Sequence, residues 1–136
     1  MTLLDPNALA DRYVTMWVEP DPAMRRKIIE ELWAPDGVHL LEPPEEARAA
    51  ADRLGVGVIF EAAGHDAIER RVTAAYDDFV AGQGFTFRSP GDARRIRDTV
   101  MFRWESVQKG EVVGGGTEFL ILDAGGRIAA DHMFPG

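Results

Sequence analysis

The sequence feature that most constrains the fold is an alternating apolar and polar pattern in the last third of the chain. Over residues 96–107, Val100, Phe102 and Trp104 fall on one face, while mainly charged side chains fall on the other. This period of two residues is typical of a β-strand with one buried face. The segment therefore predicts a long strand whose apolar face another element must cover.

The same pattern continues as a meander of three strands. Residues 108–110 and 123–126 are glycine-containing turn sequences, which predict hairpins before and after a strand over 111–122. Residues 127–134 form the third strand. The triplet Gly114–Gly116 falls inside the middle strand, where glycine usually marks a bulge or a bend.

The first part of the chain predicts two helices that can cover this sheet. Asp5-Pro6 and Asp21-Pro22 each combine an N-capping aspartate with a proline suited to the first helical turn, and Glu19-Pro20 separates the helices. Apolar residues then recur at helical spacing. The predicted buried stripes are Leu9, Tyr13, Met16 and Trp17 in the first helix, and Ile28, Ile29, Leu32 and Trp33 in the second.

The middle of the chain alternates short strands with helices. Strands are predicted at 38–41, 56–60 and 85–88, and a long helix begins near 64–66 and ends at the glycines 82 and 84. Residues 43–54 predict a further helix with a narrow alanine stripe, which suits a surface flap better than a core helix.

These elements predict one α+β domain spanning residues 1–136. In this interpretation, helices pack on the concave side of a curved antiparallel sheet. A curled sheet closed by helices forms a cone with one open mouth, which is a common form of ligand pocket.

Composition excludes several classes of function. The net charge of −8 argues against nucleic-acid binding, and we interpret the basic pairs Arg70-Arg71 and Arg94-Arg95 as solvated faces. The chain contains no cysteine, so thiolate chemistry is excluded. No apolar run approaches the roughly 20 residues of a membrane span. Residues Met1–Asp5 do not form a signal-peptide pattern, so we expect a cytoplasmic protein.

Several short motifs in order along the chain resemble the SnoaL-like branch of the nuclear-transport-factor-two-like (NTF2-like) superfamily. That branch includes polyketide cyclases and relatives of ketosteroid isomerase. The motifs are Arg12-Tyr13, Leu32-Trp33-Ala34-Pro35-Asp36-Gly37-Val38, Gly64-His65-Asp66-Ala67-Ile68, Phe102-Arg103-Trp104 and Asp123-Ala124-Gly125-Gly126-Arg127-Ile128. The resemblance implies a cystatin-like α+β barrel without a cofactor, commonly a homodimer paired through its sheet. Residues 43–54 are an insertion relative to the simplest members, placed where a lid could lie.

Matched to members that resemble ketosteroid isomerase, three residues fall on positions that act inside the cone. They are Tyr13, Glu42 before Pro43, and Glu118. The resemblance implies that one carboxylate removes a proton beside a carbonyl, while the phenol and a protonated carboxyl bind the developing enolate. Both acidic positions depart from the aspartate of that pattern. Tyr13 also fits a plain core tyrosine, and Glu42 an ordinary surface glutamate.

Strand alternation gives an argument about Glu118 that is independent of the resemblance. Glu118 shares a face with Gly116, Leu120 and Leu122, where a carboxylate is costly unless it meets a partner or a cavity. The alternative is that Phe119 and Ile121 face the core and Glu118 faces solvent. We predict that Glu118 faces the cavity.

Other residues are weaker candidates. Asp98 follows the alternation of the first long strand, so it is a fourth candidate acid, at the mouth of the cone or in the polar loop. The remaining predicted pocket-lining residues are Trp17, His39, Phe60, Trp104, Leu120, Asp131 and His132. The alternation leaves open whether Asp131 or His132 faces inward. The three histidines lack the spacing of a metal site, so no metal is expected.

Two classes of function remain open. The first is a cofactor-independent isomerase, cyclase or hydrolase acting on an apolar carbonyl or epoxide substrate. The second is a non-catalytic module that binds a small apolar molecule or serves as a dimeric scaffold. The enzyme hypothesis predicts that Glu118 and at least one of Tyr13, Glu42, Asp98 or His39 converge at one cavity.

Overall fold

The computed structural model describes residues 5–136, so the signal-peptide expectation falls almost entirely on residues 1–4, outside the described part. In chain order the elements are α1 (Pro6–Val18), α2 (Pro22–Leu32), β1 (Trp33–Leu41), α3 (Glu45–Leu54), β2 (Phe60–Ala63), α4 (His65–Ala75), β3 (Phe85–Arg88), β4 (Arg94–Ile96), β5 (Thr99–Gln108), β6 (Glu111–Leu122) and β7 (Ile128–Pro135). A π-helical turn, Tyr76–Ala81, extends α4.

The first two helices begin where their capping sequences predict. The Asp5 carboxylate accepts hydrogen bonds from the backbone N–H groups of Asn7 and Ala8 at 3.1 and 3.3 Å, and Asp21 accepts one from Ala23 at 3.0 Å. Both aspartates satisfy N–H groups that have no partner inside a helix. Within residues 5–136, no helix is both long and apolar enough to span a membrane.

The strands form one curved sheet in the order β2-β1-β7-β6-β5-β3, with β4 also paired to β5. The predicted α+β cone is confirmed, but the sheet is mixed rather than wholly antiparallel. Strands β1 and β7 run parallel, which brings His39 beside Asp131. A parallel pair needs a long crossover, and most of the chain lies between these two strands. The sheet does not close on itself, because β2 and β3 end the path.

Several strand boundaries differ from the sequence prediction, and β1 begins at Trp33 rather than at residue 38. The strand predicted to begin at Ile96 is interrupted by a turn at Arg97-Asp98, where Arg97 has φ of 49°, and β4 folds back onto β5 there. The strand predicted over 56–60 begins only at Phe60, where the chain first pairs with Leu41. A run of apolar residues therefore forms a strand only where a neighbouring strand is close enough to pair with it.

The core lies between the concave face of the sheet and helices α1, α2 and α4. Its fully buried side chains include Met16, Ile28, Trp33, Phe102 and Leu120. The stripes predicted for α1 and α2 face this core; Trp17 packs against it but is only partly buried. On the sheet, Gly116, Glu118, Leu120 and Leu122 all point inward.

A bulge in β6 changes which residues face inward near the mouth of the cone. Ser106 pairs with Gly114, but Val107 pairs with Val112, so Val113 is the extra residue. The alternation shifts there, and Val113 rather than Val112 lines the cavity. Gly116 has a separate role, because a Cβ at this position would lie 2.7 Å from Cε2 of Trp104. The indole of Trp104 therefore packs directly on the glycine backbone.

Candidate active site

A cavity of about 590 Å³ opens between the concave face of the sheet and helices α1 and α4. This volume is within the usual range for a site that holds a drug-sized molecule. Most of the wall is aromatic or aliphatic. The lining residues are Tyr13, Val14, Trp17, His39, Leu41, Arg71, Ala75, Phe79, Phe85, Phe87, Trp104, Ser106, Gln108, Val113, Met133 and Pro135.

Tyr13 connects this cavity to two buried carboxyl groups. Its hydroxyl oxygen lies 2.9 Å from Oε1 of Glu118 and 2.5 Å from Oδ2 of Asp131. Trp104 donates its indole N–H to Oε2 of Glu118 at 2.7 Å. Tyr13 and Trp104 line the cavity, whereas the two carboxyl groups lie behind them and are fully buried.

The geometry of this cluster requires a proton on one of the two acids. A tyrosine hydroxyl carries one hydrogen, so it can donate to one carboxyl only. The second contact is a hydrogen bond only when the other carboxyl is protonated and donates to the tyrosine oxygen. Two ionised carboxylates in one buried site would also repel each other. The cluster therefore holds one shared acid proton besides that of Tyr13.

The direction of the pKa shifts, together with the shorter contact from Tyr13 to Asp131, favours Glu118 as the carboxyl group that holds this proton. Burial, followed by the charge of Asp131, raises the pKa of Glu118 well above its usual range. Burial raises the pKa of Asp131 to about 6, against hydrogen bonds from Glu118 and Tyr13 that lower it. Burial, followed by the charges of Asp131 and Glu118, also raises the pKa of Tyr13 well above its usual value. At pH 7, neutral Glu118 therefore donates a hydrogen bond to the Tyr13 oxygen, and the Tyr13 hydroxyl donates one to the Asp131 carboxylate.

His39 stands beside this cluster in one fixed protonation state. Arg71 donates from Nη1 to Nδ1 of His39 at 2.7 Å and to the His39 carbonyl at 3.1 Å. A guanidinium only donates, so Nδ1 must accept and Nε2 carries the hydrogen. Burial, followed by the charge of Arg71, lowers the pKa of His39 to about 3. His39 is thus a neutral N–H donor, with Nε2 at 3.7 Å from Oδ2 of Asp131.

Three polar atoms around the cluster are buried without a hydrogen-bond partner among the described residues. They are Nε1 of Trp17, Nε2 of His39 and Oδ1 of Asp131. Two of them are N–H donors on side chains that line the cavity, and the third is a carboxylate oxygen. Buried polar groups of this kind are costly, because no hydrogen bond replaces the one that they lose to water.

His39, Glu118 and Asp131 each offer a potential metal-ligand atom, and these atoms lie within 4.8 Å of one another. The hydrogen-bond pattern does not fit a metal ion. Nδ1 of His39 is occupied by Arg71, and Nε2 carries a hydrogen, so neither ring nitrogen has a free lone pair. The Arg71 charge beside the ring further disfavours a cation.

Three of the four predicted catalytic residues lie outside the cavity wall: Glu118 is buried behind it, and Glu42 and Asp98 are exposed to solvent. Glu42 follows the end of β1 and is exposed to solvent, because the chain turns there into α3. Asp98 lies exposed in the turn between β4 and β5, with its backbone carbonyl accepting a hydrogen bond from Leu122 at 2.8 Å. Glu42 and Asp98 therefore do not reach the cavity. Tyr13 and Glu118 meet each other, but Glu118 lies behind the wall rather than in the cavity that the sequence predicted it to face.

Some of the predicted pocket-lining residues lie in the cavity wall and others lie outside it. Trp17, His39 and Trp104 line the cavity. Phe60 lies on the edge strand β2, outside the wall, and Leu120 is packed in the core below it. On β7, Asp131 points inward and His132 is partly exposed on the other face, which resolves the ambiguous alternation of that strand. The described residues of α3, the predicted flap, contribute nothing to the wall.

Arg71 is a residue of this site that the sequence pattern did not predict, because the basic pair Arg70-Arg71 suggested a solvated face. The side chain instead lies in the cavity wall and is partly buried. A signal was present, because Arg71 is three residues after Ile68 and four before Ala75, on the side of α4 that carries the apolar stripe. A cation at such a position is expected to reach inward rather than into solvent.

Comparison with solved structures shows which proteins share this fold. A candidate isomerase of the SnoaL-like family from Agrobacterium tumefaciens superposes with a TM-score of 0.76, at 23% identity, over 95% of both chains. An NTF2-like protein of unknown function from Exiguobacterium gives 0.62 at 21% identity, over 94% of this chain and 98% of the other. A candidate SnoaL-like polyketide cyclase from Jannaschia gives 0.63 at 10% identity, over 96% and 85%.

These matches confirm the resemblance at the level of the fold. None of the protein-family models matches the sequence, and no curated protein does either. The chain therefore has the SnoaL-like, NTF2-like fold, and its own side chains must supply the argument about chemistry.

Proposed function

We propose that the protein is a cofactor-independent enzyme that removes and returns a proton beside the carbonyl group of an apolar substrate. The observation that carries this proposal is the position of Tyr13. Its side chain lines the cavity, and its hydroxyl contacts both Glu118 and Asp131. It is thus placed to pass a proton between a bound molecule and the acid pair.

The proposed step is an enolisation. The substrate C–H bond next to the carbonyl breaks, its proton moves to the Tyr13 oxygen, and the Tyr13 hydrogen moves to Oδ2 of Asp131. The electron pair of the C–H bond becomes the enolate. We propose that a small shift of the cavity wall brings its oxygen within hydrogen-bond distance of the buried, unpartnered N–H groups of His39 and Trp17. Return of the proton to another carbon completes an isomerisation or prepares a ring closure.

The test is exchange of substrate protons with solvent. An enolisable apolar ketone such as 2-tetralone is incubated with the protein in D2O, and loss of the α-proton signal is followed by nuclear magnetic resonance. Because the acceptor Asp131 must be ionised, and its pKa is raised to about 6, the exchange rate should rise about tenfold from pH 5 to pH 7. Glu42→Gln is the control, since the exposed Glu42 should leave this profile unchanged.

One observation favours a second candidate function, a non-catalytic binding module. Neither Glu118 nor Asp131 lines the cavity, and the residue matched to the isomerase base, Glu42, is exposed. A binding module would take up the ketone without accelerating its exchange above the buffer rate. That result, or a rate that does not change between pH 5 and pH 7, would contradict the enzyme proposal.

We also propose that the protein forms a homodimer through the outer face of its sheet. Phe119 and Phe134 pack edge to face at 5.8 Å on this face, and they remain 36% and 41% exposed. Phe119→Lys should weaken dimerisation about tenfold or more, because it would bury an unpaired charge. Sedimentation equilibrium measures this, with Leu54→Lys on the distant helix α3 as the control. A monomeric wild type, or a variant that dimerises as tightly, would contradict the proposal.

A further inference from the structure

Arg71 introduces a positive charge into a cavity that is otherwise mainly aromatic and aliphatic. The side chain reaches from α4 to β1, where it contacts His39. Other arginines, such as Arg12, Arg26 and Arg88, have a carboxylate within 4 Å. Within residues 5–136, Arg71 has no such ion pair.

Most of the hydrogen-bonding capacity of Arg71 is unused. A guanidinium has five N–H donors in one plane. The two on Nη1 are directed to the ring nitrogen and the carbonyl of His39. The three on Nη2 and Nε make no hydrogen bond to any residue of the described chain. This edge of the guanidinium has the geometry that holds a carboxylate through two parallel hydrogen bonds.

The charge balance of the cavity indicates what kind of ligand would pair with Arg71. A partly buried cation without a counter-ion is unfavourable, and an anionic ligand removes that cost. The wall supplies one cation, which matches a single carboxylate. A phosphate monoester carries close to two charges and would call for further basic groups, which the wall does not contain among its described residues.

We propose that the cavity binds an apolar monocarboxylate, with its carboxylate on Arg71 and its hydrocarbon body against the aromatic wall. Trp17, Phe79 and Phe87 supply that wall. The inference deepens the proposed function, on which it rests for treating the bound molecule as a substrate. The substrate would then be an apolar acid that also has an enolisable carbonyl, and Arg71 would determine specificity by fixing its orientation.

Paired acids and amides of the same shape test this assignment. Isothermal titration calorimetry at pH 7 compares 2-naphthoate with 2-naphthamide, and 6-phenylhexanoate with 6-phenylhexanamide. The wild type should prefer the acid about tenfold or more in at least one pair, as expected for hydrogen bonds between charged groups. Arg71→Gln should reduce that preference to about twofold or less while amide binding changes little. Arg70→Gln is the matched control, because it removes the same charge from the exposed neighbouring position.

Each other outcome would overturn the assignment. The wild type could bind neither the acids nor the amides, or could bind both equally tightly. Alternatively, the Arg71→Gln variant could keep the wild-type preference for acids. If Arg71→Gln does not fold, Arg71→Lys decides, because a point charge without the planar edge should lower the preference without abolishing it. Tyr13→Phe separates this inference from the proposed function. It should lose proton exchange and keep the preference for acids, so a failure of catalysis and a failure of recognition give different results.

Discussion

Replacing Tyr13 with phenylalanine is expected to slow proton exchange by about a hundredfold or more. The variant keeps the ring that packs against Phe102 but lacks the hydroxyl that contacts Glu118 and Asp131. General acid–base groups usually contribute about 10² to 10⁴ in rate, and here the loss would also disconnect both acids from the cavity. The exchange rate of 2-tetralone at pH 7 measures this effect.

Tyr76→Phe is the matched control for this substitution. Tyr76, the second of the two tyrosines, packs against the Arg25 guanidinium at 4.6 Å, away from the cavity wall. Its variant should exchange protons at the wild-type rate. Tyr13→Phe should also lose about 1–3 kcal/mol of stability, because two buried carboxyl groups lose a partner. A folded Tyr13→Phe protein with near wild-type exchange would show that Tyr13 has a structural role only.

The second large expected effect concerns stability and pH. Asp131 has a pKa of about 6 in the folded protein, against 3.8 for the free side chain, because burial disfavours its charge. The group therefore stabilises the fold fully below pH 3.8, and this contribution is lost as pH rises through 6. The shift corresponds to about 3 kcal/mol. Asp131→Asn cannot ionise, so its free energy of unfolding should rise relative to that of wild type by about 2 kcal/mol from pH 4 to pH 7, the part of this shift that falls in that range.

The test compares the free energy of unfolding of Asp131→Asn with that of the wild type, because the wild type alone would not isolate Asp131. Burial lowers the pKa of His39 to about 3, so His39 destabilises the fold as pH falls below 6.5, opposite to the effect of Asp131. Urea unfolding of wild type and variant at both pH values cancels the contribution of His39. Asp98→Asn, at an exposed carboxyl, should follow the wild type. If Asp131→Asn and wild type change in parallel, Asp131 does not hold a raised pKa in the folded protein.

The separate parts of the candidate site could be predicted from local patterns. Helical spacing places Tyr13 on a buried stripe, and strand alternation places Glu118 on the inner face of β6. Both patterns depend on neighbours within a few residues, so the sequence is sufficient to detect them. Alternation did not place Asp98 correctly, and the family resemblance did not place Glu42 correctly. Asp98 lies in the turn between β4 and β5, and Glu42 lies just past the end of β1, so alternation carries no information at either position.

The sequence by itself determined the α+β class, most of the helices and strands, and the inward direction of Tyr13 and Glu118. Only the tertiary structure decided which groups meet. Tyr13 is 105 residues from Glu118 and 118 from Asp131, and the parallel pairing of β1 with β7 brings His39 to Asp131. The physical reason is that pKa shifts, a fixed histidine tautomer and the unpaired charge of Arg71 come from burial and long-range contact. Local periodicity does not specify these.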